Sequence, residues 1–323
     1  MSELPRNTIL VGDVFEGLRG LPPASVDCVI TSPPYFQLRD YGVTGQLGSE
    51  ATVEEWAGNL RRVMAEVARV LKPAGSVWLN LGDSFSRHQR YGAPPKGLLL
   101  APERLVVGLA ADGWIVRNKV IWAKTNSLPT SVTDRLALTY EPVYFLVRSR
   151  TYFYDLDAIR EPHRTPATKP RQVTSRREPE SWAGPLAAPR SYLRELKATG
   201  QPGHPLGKNP GDVWPMAAAS YRGAHFATFP ERLVRRPILA TCPARVCAGC
   251  GAAQPKPGCG CRAPFVPGVV LDPFFGSGTV GAVARKLGRD WLGIELNPDY
   301  VELAQVRLGV RSSRPVEPSH EPD

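Results

Sequence analysis

A strand–turn–helix–strand pattern near the carboxyl end most restricts the fold that this sequence can adopt. Within residues 269–297, an apolar strand ends at Asp272, and a tight turn carrying Gly276 and Gly278 leads into a helix. A second strand then ends in Glu295. Glycines let the backbone approach a ligand closely, and an acid after the next strand can accept both hydroxyls of a ribose. The pattern therefore predicts a unit that binds a nucleoside-containing cofactor.

The late position of this unit predicts a permuted order of strands. Fewer than 30 residues follow Glu295, so most of the sheet must come from earlier in the chain. Gly276, Gly278 and Gly281 formally match the GxGxxG pattern of nicotinamide-binding folds, which usually place it early. The Asp-Pro pair before these glycines also suits S-adenosylmethionine, which carries a cationic amine and no pyrophosphate. A tight turn that binds no ligand is the remaining alternative.

Alternating strand and helix patterns over residues 8–150 predict an α/β fold. Apolar runs typical of strands cover 8–13, 26–32, 76–83, 114–124 and 142–149. Residues 53–71 have the apolar spacing of a helix that packs one face on a core. The runs at 114–124 and 142–149 alternate well enough to be paired strands. Strands separated by helices indicate a largely parallel sheet that is covered on both faces.

A corner stiffened by proline follows the second apolar run. Residues 30–35 are Ile-Thr-Ser-Pro-Pro-Tyr. Ser32 and Pro33 each precede a proline, which favours an extended backbone, and both prolines have a fixed φ angle. The corner follows the carboxyl end of a predicted strand, which is where open α/β sheets bind ligands.

This corner offers hydrogen-bond acceptors to an exocyclic amino group of a nucleobase. Ser32 Oγ and the Pro33 carbonyl can accept the two amino hydrogens. Tyr35 can stack on the base plane, which contributes about 1–3 kcal/mol in other base–aromatic contacts. A base in a duplex cannot reach such a corner, so it must be flipped out. An ordinary proline-rich strand end without a catalytic role is the alternative interpretation.

Four cysteines in a short segment predict a metal site. Cys247-x-x-Cys250 and Cys259-x-Cys261 bring four thiols within 15 residues, among glycines that allow tight turns. Four thiolates favour tetrahedral zinc, and free or disulfide-bonded thiols are the alternative. The segment lies between two parts of the predicted cofactor site. We therefore expect a structural zinc clamp, with contact to DNA as a further option.

Charge and composition indicate a polyanionic partner. Lys and Arg outnumber Asp and Glu by 40 to 30, which gives a formal net charge of +10. Residues 161–222 contain ten Pro and ten Lys+Arg against five Asp+Glu. This segment is predicted to recognise the partner, or to be a partly disordered insert. No apolar run approaches a membrane span and no signal pattern opens the chain, so a cytoplasmic location is expected.

Taken together, the segments 30–35 and 272–279 resemble the two turns that define the amino-group DNA methyltransferases of the permuted β type. In that family the catalytic turn precedes the cofactor turn. The resemblance implies a mostly parallel, doubly wound, Rossmann-like sheet with circular permutation, an antiparallel strand pair and an inserted recognition region. The catalytic residues that it implies are Ser32, Pro33, Pro34 and Tyr35.

The resemblance also assigns contacts with S-adenosylmethionine. They are Asp13, Thr31, His225, Thr228, Pro230, Asp272, Pro273, Phe274, Gly276, Gly278, Thr279 and Glu295. Asp13 belongs to a Gly-Asp pair that meets the cofactor adenine in this family, and a helix N-cap is its alternative role. The segment 225–231 resembles the part that helps to enclose the methionine end. Phe275 departs from the family, in which a small residue is common at this position.

The same resemblance divides the chain into four parts. They are a first catalytic part at 1–150 with the catalytic turn, a basic recognition insertion at 151–222, a second catalytic part at 223–310 with the cofactor turn and the cysteine knuckle at 242–261, and a flexible tail at 311–323.

The implied reaction is methyl transfer from S-adenosylmethionine to the exocyclic amino group of a flipped-out base in double-stranded DNA. The Thr-Ser-Pro-Pro-Tyr segment is similar to that of cytosine-N4 enzymes, whereas adenine-N6 enzymes more often have Asp or Asn in place of Ser32. Cytosine N4 is therefore the preferred target and adenine N6 the alternative. The nitrogen attacks the methyl group directly, so no cysteine nucleophile is needed.

Two other classes of protein compete with this interpretation. One is a zinc-containing DNA-binding protein without catalysis, and the other is a nicotinamide-dependent oxidoreductase. Neither has a use for the Ser-Pro-Pro-Tyr corner. The sequence leaves open whether a cognate restriction endonuclease exists and whether the protein is a monomer or a homodimer.

Overall fold

The computed structural model describes residues 4–127, 129–163, 203–218, 229–253 and 259–310. These residues form two compact units. One lies between Leu156 and Gly211, and the other is formed by the chain on both sides of that segment. The larger unit carries both predicted turns.

The larger unit contains ten strands and six helices within the described ranges. The strands are β1 (Thr8–Val11), β2 (Val26–Thr31), β3 (Leu71–Asn80), β4 (Ile115–Lys124), β5 (Tyr140–Val147), β6 (Val213–Met216), β7 (Val246–Cys247), β8 (Phe265–Val266), β9 (Val269–Asp272) and β10 (Asp290–Glu295). The helices are α1 (Val14–Arg19), α2 (Val53–Val70), α3 (Ala101–Ala111), α4 (Glu231–Thr241), α5 (Thr279–Lys286) and α6 (Pro298–Leu308).

Eight of these strands form one sheet in the order β1-β10-β9-β2-β3-β5-β4-β6. The pairs from β1 through β3 are parallel, and β5 is antiparallel to both β3 and β4. The last strands of the chain therefore lie between the first two, which confirms the predicted permutation. The predicted pairing of 114–124 with 142–149 is also confirmed, as β4 and β5.

The third strand begins earlier than the sequence pattern predicts. The apolar run at 76–83 predicts a strand after a proline-containing break, but β3 begins at Leu71, directly after α2. Leu71 is already extended, with ψ of 131°, and it pairs with Val26 of β2. The proline is tolerated because it lies near the start of the strand.

Helices cover both faces of the sheet, as expected for a doubly wound fold. Helices α1 to α3 pack on one face together with Val29 and Val77. Helices α4 to α6 pack on the other face, which carries Ile30 and Trp78. Alternate residues of a strand point to opposite faces, so the central strands are buried on both sides. This is why their sequences are almost continuously apolar.

The order of the central strands defines where a ligand can bind. The connection after β9 runs through α5 to β10 on one side, whereas the connection after β2 runs through α2 to β3 on the other side. Neighbouring strands whose connections leave in opposite directions open a crevice at their carboxyl ends. Both turns that were predicted from the sequence follow strands at this point.

The smaller unit lies within the predicted recognition insertion at 151–222. In its described part, Glu161 and Lys208 exchange two backbone hydrogen bonds of 3.0 and 2.8 Å. Residues 164–202, 219–228 and 311–323 lie outside the described residues, so the expected roles of the insertion and the tail stay predictions. Among the helices that the structure describes, none has the length and apolarity needed to cross a bilayer.

Candidate active site

The proline-stiffened corner at 30–35 and the glycine turn meet at the crevice. Strands β2 and β9 are neighbours, with Val29 opposite Leu271. At their carboxyl ends, Thr31 Oγ1 donates a hydrogen bond of 2.7 Å to Asp272 Oδ1. These two residues are 241 positions apart in the sequence. The contact therefore fixes the corner beside the turn, and Ser32 follows directly after it.

A tryptophan of α2 holds the corner in position. Trp56 is fully buried, and its Nε1 donates a hydrogen bond of 2.9 Å to the Pro34 carbonyl. Thr52 caps this helix by accepting a hydrogen bond from the Glu55 backbone. The same apolar stripe that attaches α2 to the sheet thereby positions the second proline of the corner.

A network of polar side chains surrounds the hydroxyl group of Tyr35. The Tyr35 hydroxyl donates to Glu141 Oε2 at 2.8 Å and lies 3.0 Å from Ser32 Oγ. Asn80 Nδ2 donates to the Tyr35 oxygen at 2.7 Å and to Glu141 Oε2 at 2.8 Å. Lys124 forms an ion pair with the other oxygen of Glu141. Strands β3, β4 and β5 thus each contribute one side chain to the support of the corner.

This network determines which way the serine hydroxyl points. A phenol has a single proton, and Tyr35 donates it to Glu141. Ser32 must therefore donate to Tyr35, and apart from a long hydrogen bond of 3.4 Å from Asn80 Nδ2 its oxygen can accept from an incoming donor. Burial of the Tyr35 hydroxyl and the charge of Glu141 raise the pKa of Tyr35 well above its ordinary value, so the phenol stays protonated. Asn80 Oδ1 is a second acceptor here, buried and without a partner among the described residues.

A glycine makes room for the Tyr35 ring. Gly82 follows β3 and is buried, and a Cβ atom at this position would lie 2.4 Å from Tyr35 Cε2. Real Cβ atoms do not approach other atoms so closely, so any larger residue would displace the ring. Gly82 therefore determines the position of Tyr35, although its own backbone does not need a positive φ angle.

We expect the substitution Gly82→Ala to lower kcat by about tenfold or more, because inserting a methyl group into a packed site costs about 1–3 kcal/mol. The displaced Tyr35 ring loses its hydrogen bonds to Ser32 and Glu141. The dissociation constant for the cofactor should stay unchanged. Steady-state kinetics and calorimetry measure the two quantities.

The matched control for this prediction is Gly58→Ala. Gly58 lies in α2, and a Cβ atom there would meet nothing within 4 Å. This variant should keep full kcat and gain slightly in stability, since alanine is the better helix former. If Gly82→Ala kept the wild-type kcat, Tyr35 would not need the position that the structure gives it.

An open cleft lies between the corner and the carboxyl ends of β9 and β10. The empty space within it, including its open mouth, is about 720 Å³. Its lining residues are Gly12, Asp13, Val14, Ser32, Pro34, Tyr41, Val43, Gly45, Gln46, Leu47, Pro273, Phe274, Ile294, Glu295, Leu296, Asn297 and Tyr300. Six of the residues predicted from the sequence are in this set: Asp13, Ser32, Pro34, Pro273, Phe274 and Glu295.

Asp272 directly precedes the lining residue Pro273, but it is almost completely buried and does not line the cleft itself. Burial raises the pKa of its carboxyl group to about 8, although hydrogen bonds from Thr31 and from the Phe274 backbone oppose the shift. A buried carboxyl group with no charged partner favours its neutral form. A cationic ligand beside it would restore the charged form.

Glu295 stands at the end of β10 with both oxygens fixed. Its Oε2 accepts a hydrogen bond of 2.6 Å from the Gly276 backbone, and its Oε1 accepts one of 2.8 Å from the Asn297 backbone. Burial raises the pKa of this carboxyl group. Each carboxylate oxygen has further lone-pair sites, so Glu295 can still accept hydroxyl groups of a ribose.

The Gly-Asp pair after β1 forms part of the cleft floor. Asp13 caps α1, accepting a hydrogen bond of 2.8 Å from the Phe15 backbone, and it also lines the cleft. Its two candidate roles are therefore compatible. Gly12 beside it has φ of 143°, a conformation that favours glycine, and it donates a hydrogen bond of 2.9 Å to the Glu295 carbonyl.

The unusual Phe275 is accommodated by packing behind the glycine turn. Its ring is buried and stacks on Trp291 with 5.3 Å between ring centroids. A Cβ atom on Gly293 would lie 2.3 Å from this ring, so the missing side chain in β10 provides the space. The turn itself needs its glycines, since Gly276 and Gly278 have φ angles of 52° and 75°.

Eight of the predicted site residues that the structure describes do not line the cleft: Thr31, Pro33, Tyr35, Pro230, Asp272, Gly276, Gly278 and Thr279. Thr279 begins α5 and is buried, where its Oγ1 accepts a hydrogen bond of 2.9 Å from Arg307. Pro230 precedes the first turn of α4. Neither is among the lining residues. His225 and Thr228 lie outside the described residues.

Sequence reasoning missed four polar or aromatic residues of the cleft: Tyr41, Gln46, Asn297 and Tyr300. The rings of Tyr41 and Tyr300 meet edge to face at 6.3 Å between centroids. Asn297 was detectable, because an Asn-Pro pair directly after a predicted strand marks a helix start at the ligand-binding edge. Tyr41 and Gln46 lie in an irregular loop that gives no such signal.

The geometry fits S-adenosylmethionine better than a dinucleotide. The cleft offers a fixed acid for a ribose and the rings of Phe274, Tyr41 and Tyr300 for a base, and the buried carboxyl group of Asp272 directly precedes the lining residue Pro273. The permuted parallel sheet with the catalytic corner at the same crevice defines a Rossmann-like, S-adenosylmethionine-dependent amino-methyltransferase. The chain belongs to the DNA methylase family of N6 and N4 methyltransferases, whose model matches residues 26–306.

Curated relatives align with nearly the whole chain. The type II methyltransferase M.Cfr9I of Citrobacter freundii is 35% identical over 327 residues, which cover 95% of this chain and 89% of the relative. The type II methyltransferase M.XycI of Xanthomonas campestris pv. cyanopsidis is 36% identical with the same coverage. The type II methyltransferase M.SmaI of Serratia marcescens is 34% identical and is covered to 92%.

Solved structures share the fold at low sequence identity. The PvuII DNA methyltransferase, described as cytosine-N4-specific, superimposes with a TM-score of 0.60 at 18% identity, covering 94% of this chain and 86% of that one. A DNA modification methylase of Thermus thermophilus, described as putative and complexed with S-adenosyl-L-methionine, gives 0.54 at 24% identity, covering 94% and 93%. These likenesses support the α/β methyltransferase fold of this chain.

Proposed function

We propose that this DNA methylase transfers the methyl group to the N4 nitrogen of a cytosine that is flipped out of double-stranded DNA. The observation that carries the proposal is the hydrogen bond from Thr31 to Asp272. It joins the corner that accepts an amino group to the turn that borders the cofactor cleft.

Residues in the cleft and next to it can each contact one part of the cofactor. Asp272 would pair with the cationic amine, Glu295 with the ribose hydroxyls, and the aromatic rings beside Asp13 with the adenine. When bound, S-adenosylmethionine supplies an electrophilic methyl group on a positively charged sulfur. Holding both reactants in line is the main contribution that a protein can make to such a direct transfer.

Ser32 supplies the first hydrogen-bond acceptor for the target amino group, because its own proton is directed to Tyr35. The Pro33 carbonyl supplies the second. Hydrogen bonds from the amino group to these acceptors favour a nitrogen lone pair that is less delocalised into the aromatic ring. When the nitrogen becomes positively charged, its proton has a path through Ser32 and Tyr35 to Glu141, whose charge Lys124 balances.

The preference for cytosine rests on Ser32. Cytosine-N4 enzymes carry the Ser-Pro-Pro-Tyr form that this chain has at 32–35, whereas Asp or Asn is more frequent in adenine-N6 enzymes. Adenine N6 is the second candidate. The type II relatives support a place in a restriction–modification pair, so we include a cognate restriction endonuclease in the proposal.

Mass spectrometry of nucleosides tests both the reaction and the base. Unmethylated plasmid DNA is incubated with the purified protein and S-adenosylmethionine, and a parallel sample lacks the cofactor. We expect N4-methylcytosine to appear only in the complete reaction. N6-methyladenine in its place would overturn the choice of base, and the absence of both from every DNA tested would overturn the proposed transfer.

A further inference from the structure

Four thiol groups converge in the segment between α4 and β9, and none of them lines the cleft. The Sγ atoms of Cys247, Cys250, Cys259 and Cys261 all lie within 4.8 Å of one another. The four side chains come from two short segments, one on either side of residues 254–258, which lie outside the described residues. No two of these thiols are joined in a disulfide bond. The DNA methylase function leaves this cluster unexplained.

Strand pairing and backbone hydrogen bonds fix the two segments that carry the cysteines. Strands β7 and β8 pair antiparallel, with Cys247 opposite Phe265. The Gly251 backbone donates a hydrogen bond of 2.8 Å to the Cys247 carbonyl, and Gly251 has φ of 70°. The turn between the first two cysteines is thereby closed. The Ala248 backbone donates a hydrogen bond of 2.9 Å to the Pro264 carbonyl, which joins the two cysteine segments.

We propose that these four cysteines bind one zinc ion as thiolates in a closed tetrahedral site. Zinc–sulfur bonds of about 2.3 Å put the sulfurs of such a site about 3.8 Å apart, and the observed cluster, with separations of at most 4.8 Å, needs little contraction. Soft thiolate ligands select zinc over the harder cations. A site with four protein ligands leaves no open position, so the ion has a structural role.

The position of the site indicates what the ion stabilises. The zinc segment lies between the end of α4 at Thr241 and the start of β9 at Val269. The cofactor cleft lies at the opposite end of β9, after Asp272. The segment therefore borders the amino end of β9. The expectation that it lies between two parts of the cofactor site stays a prediction, since residues 225–228 lie outside the described residues.

Direct contacts connect this segment to the sheet. The Gly268 carbonyl, at the end of the segment, accepts a hydrogen bond of 3.0 Å from the Asp290 backbone at the start of β10. The Arg289 guanidinium donates to the Cys242 carbonyl at 3.2 and 3.3 Å. A metal ion that closes the segment would therefore fix the start of β9. Its loss should lower thermal stability without changing the cleft.

Elemental analysis and X-ray absorption of the full-length protein test the proposal. The protein is purified under reducing conditions without added metal or chelator. We expect one zinc per chain with a shell of four sulfur atoms at about 2.3 Å. The substitution Cys250→Ser should lose the zinc, whereas Cys250→His should keep it, because three cysteines and one histidine also form zinc sites.

Cys242→Ala is the matched control, since Cys242 is a buried thiol near the segment but outside the cluster. It should keep one zinc per chain. Removing the zinc with a chelator should lower Tm by about 5 °C or more and leave the cofactor dissociation constant, measured well below Tm, within twofold. A purified protein without zinc, two disulfides by mass spectrometry, or equal zinc loss in Cys242→Ala would overturn the proposal.

Discussion

The substitution Ser32→Ala is expected to lower the rate of methyl transfer by about 100-fold or more, as removal of one preorganised hydrogen-bonding group does in other enzymes. The Ser32 hydroxyl gives its proton to Tyr35 and so presents only lone pairs to the target amino group. Alanine offers no acceptor. Transfer of tritiated methyl groups in single-turnover experiments measures the rate.

The affinity for the cofactor distinguishes the loss of the Ser32 acceptor from a general loss of the folded active site. Ser32 lines the cleft, but the predicted contacts for the amine and the ribose come from Asp272 and Glu295, so calorimetry should give an unchanged dissociation constant. Ser25→Ala is the matched control, because Ser25 precedes the same strand and its hydroxyl donates only to the Pro22 carbonyl. Full transfer activity in Ser32→Ala would refute the role given to the corner.

The second large effect is expected from Asp272→Asn. A charge-assisted hydrogen bond to the cofactor amine contributes about 1.5–3 kcal/mol, so the variant should bind S-adenosylmethionine about 10- to 100-fold more weakly at pH 8. Wild-type affinity should fall as the pH falls below about 8, because the Asp272 carboxyl group, whose pKa is about 8, then has to lose a proton to pair with the amine. The variant should lack this dependence. Calorimetry between pH 6 and pH 8 measures it.

The same substitution should make the protein without cofactor more stable. The Asp272 carboxyl has a pKa of about 8 in the folded protein and 3.8 as its ordinary value. Between these values the folded chain holds a proton that the unfolded chain has lost, so the free energy of unfolding falls as the pH rises. Asparagine has no charged form. The Tm of Asp272→Asn relative to wild type should therefore increase from pH 4 to pH 8.

Asp27→Asn is the control for both measurements. Asp27 is also buried, at the amino end of the neighbouring strand, and it pairs with Lys72 at 2.7 Å. Its substitution breaks an ion pair and should lower stability, while the pH dependence of cofactor binding stays as in the wild type. An Asp272→Asn variant that binds the cofactor with wild-type affinity would contradict the assignment of the amine.

The sequence allowed much of the fold to be predicted because the signals were local. The apolar run before Ser32 and the glycine turn after Asp272 each identify a strand end. Their order along the chain, with the corner first, predicts the permutation that the strand order confirms. The alternation at 114–124 and 142–149 likewise predicted the antiparallel pair. The pattern and the structure differ at the start of β3. A proline near the start of this strand was interpreted as a break, although the backbone there is already extended.

The side chains that support the corner could not be predicted, because their contacts join residues that are far apart in the sequence. Asn80, Lys124 and Glu141 lie on three different strands and meet Tyr35 only after the sheet has formed. None of them belongs to a short motif. The same holds for the contact between Tyr41 and Tyr300, which are far apart in the sequence. Long-range side-chain networks leave no spacing pattern from which they could be inferred.

The most direct test of this account is a crystal structure with S-adenosylhomocysteine, the product form of the cofactor, which cannot transfer a methyl group. We expect the ligand amine to lie beside Asp272, the ribose hydroxyls at Glu295 and the sulfur to face Ser32 across the cleft. A ligand bound outside this cleft, or one whose sulfur faces away from Ser32, would contradict the claim that the corner and the glycine turn form one active site.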